Sequence, residues 1–213
     1  SVYRPNSEAG EVSSLPAERN GFVTFGSLSR IIRLNHRTIK AWSEILKTVP
    51  SARLVINSKE LRFAEIRCRV AEKFQAFGVS ENRLLLGYDT PPWDILRMID
   101  IGLDCFPHNA GTTLCDSLYM GVPYVTLAGR VGVGRLGASI LTAVKHGEWI
   151  TKNEQQYIET AVNLARDLNH LSDIRKLLRK EFEASPMMDA ASFTSDLENA
   201  YIGMWRKFVA NEP

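Results

Sequence analysis

Thr112 and Thr113 follow Gly111 directly, and Asp116 comes one helical turn later, within DIGLDCFPHNAGTTLCDSLYMGVP (Asp100–Pro123). The stretch reads as a buried strand (Ile101, Leu103, Cys105), a tight loop holding Pro107, Asn109 and Gly111, and a helix opening at Thr112 or Thr113. A strand that feeds a helix through a glycine-bearing loop leaves the first helical N–H groups without partners, with the positive end of the helix dipole behind them. Such a terminus seats a phosphate. The two threonines add hydroxyl donors, and Asp116 can accept hydrogen bonds from the vicinal hydroxyls of a sugar. The same residues also serve plain helix capping, with a threonine as N-cap. Spacing alone leaves both readings open.

Arginines are the second chemical resource. Arg30 and Arg33 lie three residues apart in the loop after the first core strand, and Arg130 and Arg135 lie in a later loop of the same kind. A guanidinium can grip a phosphate through two parallel charge-assisted bonds. Solvated arginines on exposed turns are the ordinary alternative, and Arg135 can equally cap a helix or pair with a carboxylate such as Asp116. His108 is the one histidine in these loops, and no carboxylate near it in sequence would orient it as a base; loop packing or a substrate contact is its expected role. His36, His146 and His170 fall at helix ends and are expected to be structural. There is no nucleophile elbow, HExxH, Walker motif or GxGxxG. Gly132-Val133-Gly134-Arg135-Leu136-Gly137 lacks the dinucleotide spacing, and close helix packing explains its glycines.

The elements needed to position these groups can be read from periodicity. Residues 1–20, with Pro5, Gly10 and Pro16 and few apolar positions, are expected to be a linker or surface-laid arm outside the core. The domain then runs over 21–213. Strands are expected at 22–25, 53–56, 83–86, 101–105, 123–127 and 148–150. Helices are expected at 36–49, 60–77 (closed by Gly78), 91–99, 112 onward, 133–144, 153–168, 171–184 and 192–208. The alternation predicts an α/β, Rossmann-like, doubly wound parallel sheet with C-terminal helices from about 153. Ligands of such sheets bind outside the carboxyl ends of the strands. The loops there are 26–33, 87–90, 106–113 and 128–135.

Composition narrows the class. The 213 residues are 45% hydrophobic and 23% charged with a net charge of +2, which suits one globular domain and gives no basic tract for nucleic acid. Cys68, Cys105 and Cys115 have no CxxC spacing and sit in apolar surroundings, so buried free thiols are expected. No apolar run approaches the roughly 20 residues needed to span a bilayer, and no signal peptide is visible at Ser1. A soluble, cytoplasmic protein with no membrane partner is expected.

NGFVTFGSLSRIIRL, DIGLDCFPHNAGTTLCDSLYMGVPYVTLAG and GRLGASIL together resemble the C-terminal half of the catalytic region of the O-linked N-acetylglucosamine transferases. The resemblance is nearest to their bacterial relatives and to the SPINDLY-type proteins, and it extends from Val2 to the terminal LENAYIGMWRKF. It implies the C-terminal domain of a GT-B glycosyltransferase, which holds most of a nucleotide-sugar donor. It further implies an N-terminal catalytic half and tetratricopeptide repeats elsewhere in the full-length chain, and a protein acceptor.

Residue by residue, Arg33 falls where the family has a lysine at the donor diphosphate that helps the leaving group, so it is the expected catalytic residue. Arg30 falls at a glutamine near the diphosphate. Thr112 and Thr113 match the phosphate-binding threonine pair and Asp116 the ribose-binding aspartate. Gly111 replaces a donor-contacting histidine; Asn109 and Arg135 complete the expected donor-binding set. The lysine and histidine that flank the uracil have no counterpart in Asp89-Thr90-Pro91-Pro92.

The implied activity is inverting transfer of N-acetylglucosamine from UDP-N-acetylglucosamine to Ser or Thr, with no metal and no other cofactor. Because the family's catalytic histidines lie in the N-terminal half, these residues alone are expected to be inactive. Two alternatives stand beside it: a GDP-fucose-dependent protein O-fucosyltransferase domain, or a non-catalytic nucleotide-binding or scaffolding module.

Overall fold

The structure, a computed structural model, describes residues 2–210; Ser1 and residues 211–213, which the sequence assigns to the arm and to the end of the domain, lie outside it. A short helix α1 (Pro16–Asn20), with proline in its first turn, leads into β1 (Thr24–Ser27). Helix α2 (His36–Thr48) begins where the Asn35 side chain accepts from the N–H groups of Arg37 and Thr38. Next come β2 (Arg53–Asn57), α3 (Ala64–Gln75), β3 (Leu84–Gly87), α4 (Trp93–Met98) and β4 (Ile101–Leu103). Helix α5 (Thr112–Tyr119) and β5 (Tyr124–Leu127) follow, then α6 (Leu136–Ala143) and β6 (Ile150–Thr151). The chain ends in α7 (Glu154–Arg166), α8 (Leu168–Glu183) and α9 (Ala190–Val209).

All strand pairs are parallel, in the order β3-β2-β1-β4-β5-β6. The chain winds outward from β1 in one direction, then returns and winds the other way from β4. The switch point therefore lies between β1 and β4, and the crevice outside their carboxyl ends is where doubly wound sheets bind ligands.

Alternate residues of β2 face opposite sides of the sheet. Leu54 and Ile56 join the main core with Trp42, Ile45 and Phe74, whereas Val55 joins Trp93, Leu96 and Ile99. Helices thus cover both faces. The centre of the sheet is closely packed: a Cβ at Gly102 would run into the Tyr124 ring beside it. Gly102→Ala is expected to destabilise by about 1–3 kcal/mol, a fall of roughly 2–12 °C in Tm for a domain of this size. An unchanged melting curve would contradict that packing.

Several expectations need correcting. The arm lies on the surface but is anchored in the core, since Ala9, Leu15 and Ala17 are buried and Leu15 and Ala17 pack with the main cluster. The helix expected from residue 60 begins at Ala64 after a 3-10 turn over Lys59–Arg62. The helix expected at 133 begins at Leu136, because Gly132–Gly134 form a 3-10 turn packed against the Pro107 carbonyl. The strand expected at 148–150 is Ile150–Thr151, preceded by a turn over Gly147–Trp149. The helix expected at 171 begins at Leu168, where the Asp167 carboxylate accepts from the His170 N–H. Cys68 is exposed on α3, while Cys105 and Cys115 are buried, and all three are free.

Helix α9 buries none of its side chains. Phe193, Leu197, Tyr201, Trp205 and Phe208 are exposed along it at helical spacing. Among the described residues no helix is long and apolar enough to cross a membrane.

Candidate functional site

The loop after β1 and the loop after β4 meet at the switch point. A 3-10 turn over Ile31–Arg33 aims the Arg33 side chain across the crevice, and its Nη1 donates to the Asn109 carbonyl at 3.0 Å. These residues are 76 positions apart in sequence. Asn109 is itself fixed: its Nδ2 donates to the carbonyls of Cys105 and Leu127 at 3.1 and 3.3 Å, and its N–H donates to Val133 O at 3.0 Å. The Phe106 carbonyl is held from α2 by Asn35 Nδ2 and by Thr38 Oγ1 at 3.1 Å. The turn before α5 is thus clamped from β4, β5 and α2.

Helix α5 starts at Thr112, with Gly111 as N-cap and no side-chain cap. Neither threonine spends its hydroxyl on capping the helix. The first α5 amides to find a carbonyl are those of Leu114 and Cys115, both on Gly111 O. The Thr112 and Thr113 N–H groups lie ahead of them at the positive end of the helix. Thr112 is exposed and Thr113 half-buried. From Gly111 and Thr112 a cavity of about 800 Å³ runs past Cys115, Leu136 and Ile140 toward Met187 and Phe193, within the size range of small-molecule pockets.

Asp116 faces the arm. Its Oδ1 accepts from the Tyr3 hydroxyl at 2.6 Å. Burial raises the pKa of the Asp116 carboxyl, and the Tyr3 bond opposes that rise. Arg30 is exposed in the loop after β1; the Ser58 hydroxyl bond chiefly lowers the pKa of Glu60, and the charge of Arg30 adds to that. Arg135 stands apart: it is exposed and reaches Gly129 O at 3.4 Å, while Asp116 is paired with Tyr3 instead. His108 is exposed on the turn. Asp89 is clasped through its backbone, its N–H giving to Asn57 Oδ1 at 2.8 Å and its carbonyl accepting from Asn57 Nδ2 at 3.0 Å. Gly134 and Gly137 serve packing, as expected of the glycines of 132–137, whereas Gly132 is exposed and a Cβ there would meet nothing within 4 Å. Gly134 lies against Gly129, and a Cβ on Gly137 would come within 2.8 Å of Asp104 Oδ2.

Sequence reasoning did not single out Asp104. It is wholly buried at the end of β4, with Oδ1 accepting from the Ala110 N–H at 2.7 Å and Oδ2 from Thr126 Oγ1 at 2.6 Å. Burial pushes its pKa up to about 7, against the pull of those bonds and of Arg33. The available signal was an aspartate closing an apolar interior strand, a placement that demands specific partners. Tyr3 gave no signal, since its contact with Asp116 spans 113 residues. Among the described residues no group of three or more His, Cys, Asp and Glu could hold a metal ion.

Two loops that deliver a guanidinium and a free helix start to one switch point are shared by many nucleotide-binding sheets, so the sequence must decide among them. Residues 12–197 match the model of Glycosyl transferase family 41. The chain belongs to that family. It is 39% identical over 214 residues to the probable UDP-N-acetylglucosamine–peptide N-acetylglucosaminyltransferase SPINDLY of Arabidopsis thaliana, covering 99% of this chain and 23% of that protein. A solved variant of the Thermobaculum terrenum O-GlcNAc transferase superposes with a TM-score of 0.86 at 33% identity. That match covers 96% of this family 41 chain and 39% of the bacterial one. The C-terminal domain of a glycosyl transferase group 1 family protein from Francisella tularensis shares the fold at 15% identity, with a TM-score of 0.56 over 84% of this chain and 93% of that one. The fold is the Rossmann-like, doubly wound domain of a GT-B glycosyltransferase. The chain spans about a quarter of the length of its SPINDLY relatives.

Proposed function

We propose that this family 41 domain binds the nucleotide-sugar donor of an inverting protein O-glycosyltransferase, which transfers N-acetylglucosamine from UDP-N-acetylglucosamine to Ser or Thr. The observation that carries the reading is the Arg33 Nη1–Asn109 O contact at 3.0 Å, which brings a guanidinium to the uncapped start of α5. In this reading the Thr112 and Thr113 N–H and hydroxyl groups take the diphosphate oxygens, and Asp116 takes the ribose hydroxyls once Tyr3 yields its bond. Arg33 stabilises the charge that builds on the departing diphosphate, with Arg30 adding positive potential at the mouth. Asn109 and Gly111 set the turn, and Arg135, which rests at Gly129 O, joins the donor only by swinging inward. A helix terminus and a cation fixed before the reaction stabilise developing charge without reorganising at the moment of bond breaking.

The acceptor protein and the groups that activate its hydroxyl belong to an N-terminal catalytic half, preceded by tetratricopeptide repeats, in the full-length cytoplasmic enzyme. Residues 1–213 alone are therefore expected to show weak or no nucleotide binding and no turnover. One observation favours a second donor: Asp89-Thr90-Pro91-Pro92 offers no cationic or imidazole side chain for a uracil, and Asn57 holds the Asp89 backbone. Titrating the full-length protein with UDP and with GDP separates the two. Saturation by UDP supports N-acetylglucosamine transfer, and preference for GDP supports fucose transfer. Silence toward both would leave a scaffolding module and sink the donor-site reading.

A further inference from the structure

We propose that Asp104 is the positioning residue of the diphosphate site, and that donor binding is coupled to proton uptake at its buried carboxyl group. The inference rests on the donor-site reading above. Asp104 lies beneath the turn that presents α5. One carboxylate oxygen holds the Ala110 N–H at 2.7 Å, just before Gly111, and the other holds Thr126 Oγ1 at 2.6 Å on β5. Its backbone carbonyl accepts from the Tyr157 hydroxyl at 2.9 Å, and that hydroxyl accepts from Trp42 Nε1 at 3.0 Å. The carboxylate is packed from above by Gly137 of α6, which leaves no room for a side chain. A shift of Asp104 would move the start of α5 with it.

Charge completes the argument. Among the described residues no cation lies within ion-pair distance of Asp104; Arg33 is the cation whose charge reaches it, from the loop after β1. The other titratable groups that face it are Cys105 on its own loop, Tyr124 on β5 and Tyr157 on α7. Burial pushes the Cys105 thiol up to about 12 and raises both phenols well above their ordinary value. Near neutral pH the carboxyl of Asp104 and the guanidinium of Arg33 are therefore the charges of this pocket. A diphosphate at the start of α5 draws on the same guanidinium and brings negative charge close to the carboxylate. A like charge nearby disfavours ionisation, so the bound donor raises the proton affinity of Asp104. Linkage sets the sign: donor affinity falls as pH rises through the titration of Asp104, by up to about tenfold per pH unit where a whole proton is taken up.

The test is calorimetric titration of the full-length protein with UDP-N-acetylglucosamine and with GDP-fucose. Their diphosphates are diesters and carry no proton that titrates near neutrality. Heats are compared in buffers of different ionisation enthalpy at about pH 7. For whichever donor binds, uptake of a fraction of a proton is expected. Asp104→Asn should abolish the uptake while Asp116, the other carboxylate of the region, is left in place. Thr126→Val removes a bond that favours the carboxylate and should move the uptake curve to higher pH; it also serves if Asp104→Asn does not fold. Donor binding with buffer-independent heats, or uptake that persists in Asp104→Asn, would overturn the proposal and leave the donor site standing. Failure of both sugar nucleotides to bind the unaltered protein would overturn the site itself, and this inference with it.

Discussion

Arg33→Ala should lower the turnover number of the full-length transferase by roughly 10²–10³-fold, the usual cost of removing one preorganised donor from a site of developing charge. The effect should fall on kcat more than on KM. In the proposed transfer the diphosphate already carries charge in the ground state, but the charge grows as the sugar departs, and only the growing part separates the two states. Arg33 is well placed for that task because its loop position is fixed twice. Ile31 N–H gives to Ser58 Oγ at 3.1 Å, and the guanidinium itself is tied to Asn109 O. Arg33→Lys keeps the charge but loses the planar fork, so it should recover part of the loss and show which share is charge and which is geometry. Steady-state rates across a donor concentration series decide the matter. If the alanine variant turns over within about threefold of the parent, Arg33 is not the group that stabilises the leaving diphosphate.

The sheet and its ligand edge were legible in the sequence for a simple reason. Interior parallel strands must be apolar on both faces, so Leu54–Ile56 and Ile101–Leu103 stand out as short apolar runs, each followed by a loop and a helical period. That alternation also identifies which loops lie at the carboxyl edge. It does not give the strand order, and so cannot say that the loops after β1 and β4 are the neighbouring pair; the Arg33–Asn109 contact needs that order. Helix starts slipped where backbone packing outranked side-chain periodicity, as at Gly132–Gly134, which turn against Pro107 before α6 can begin. The arm was misjudged because its polar composition hides four buried apolar side chains, Ala9, Leu15, Pro16 and Ala17. Asp116 was readable as a carboxylate one turn into α5, but its hydroxyl partner Tyr3 was not. A contact made by the arm depends on how the whole chain folds back on itself.

Arg175→Leu should cost about 3–5 kcal/mol of stability, the range for removing one partner from a buried charge network, or roughly 6–20 °C in Tm. Arg175 is only 1% exposed on α8. Its Nε and Nη2 donate to Ser13 O and Ser13 Oγ at 2.8 and 2.9 Å, and its Nη1 donates to Ile99 O at 2.7 Å. It also supplies positive charge near Asp100, whose carboxylate accepts from Ala17 N–H at 2.9 Å and Thr24 N–H at 2.7 Å. The arm, β1, β4 and α8 thus meet at one guanidinium and one carboxylate. Leucine fills the space of the stem but orphans three acceptors and leaves Asp100 without its compensating charge.

The pH dependence distinguishes this cause from a simple packing loss. Burial pushes Asp100 up to about 6, above its unfolded value, so folding favours its protonated form. Its contribution to stability is full below the unfolded pKa of about 4 and is lost as pH rises through about 6. Without Arg175 the ionised carboxylate is held still less well. The deficit of the variant should therefore be smaller near pH 4, where Asp100 is protonated in either protein and only the three orphaned acceptors count, and should widen through pH 6. Thermal unfolding of both proteins across that range supplies the comparison. A deficit that stays constant with pH would mean that Asp100 does not feel Arg175, and that the guanidinium acts on the arm through its Ser13 bonds alone.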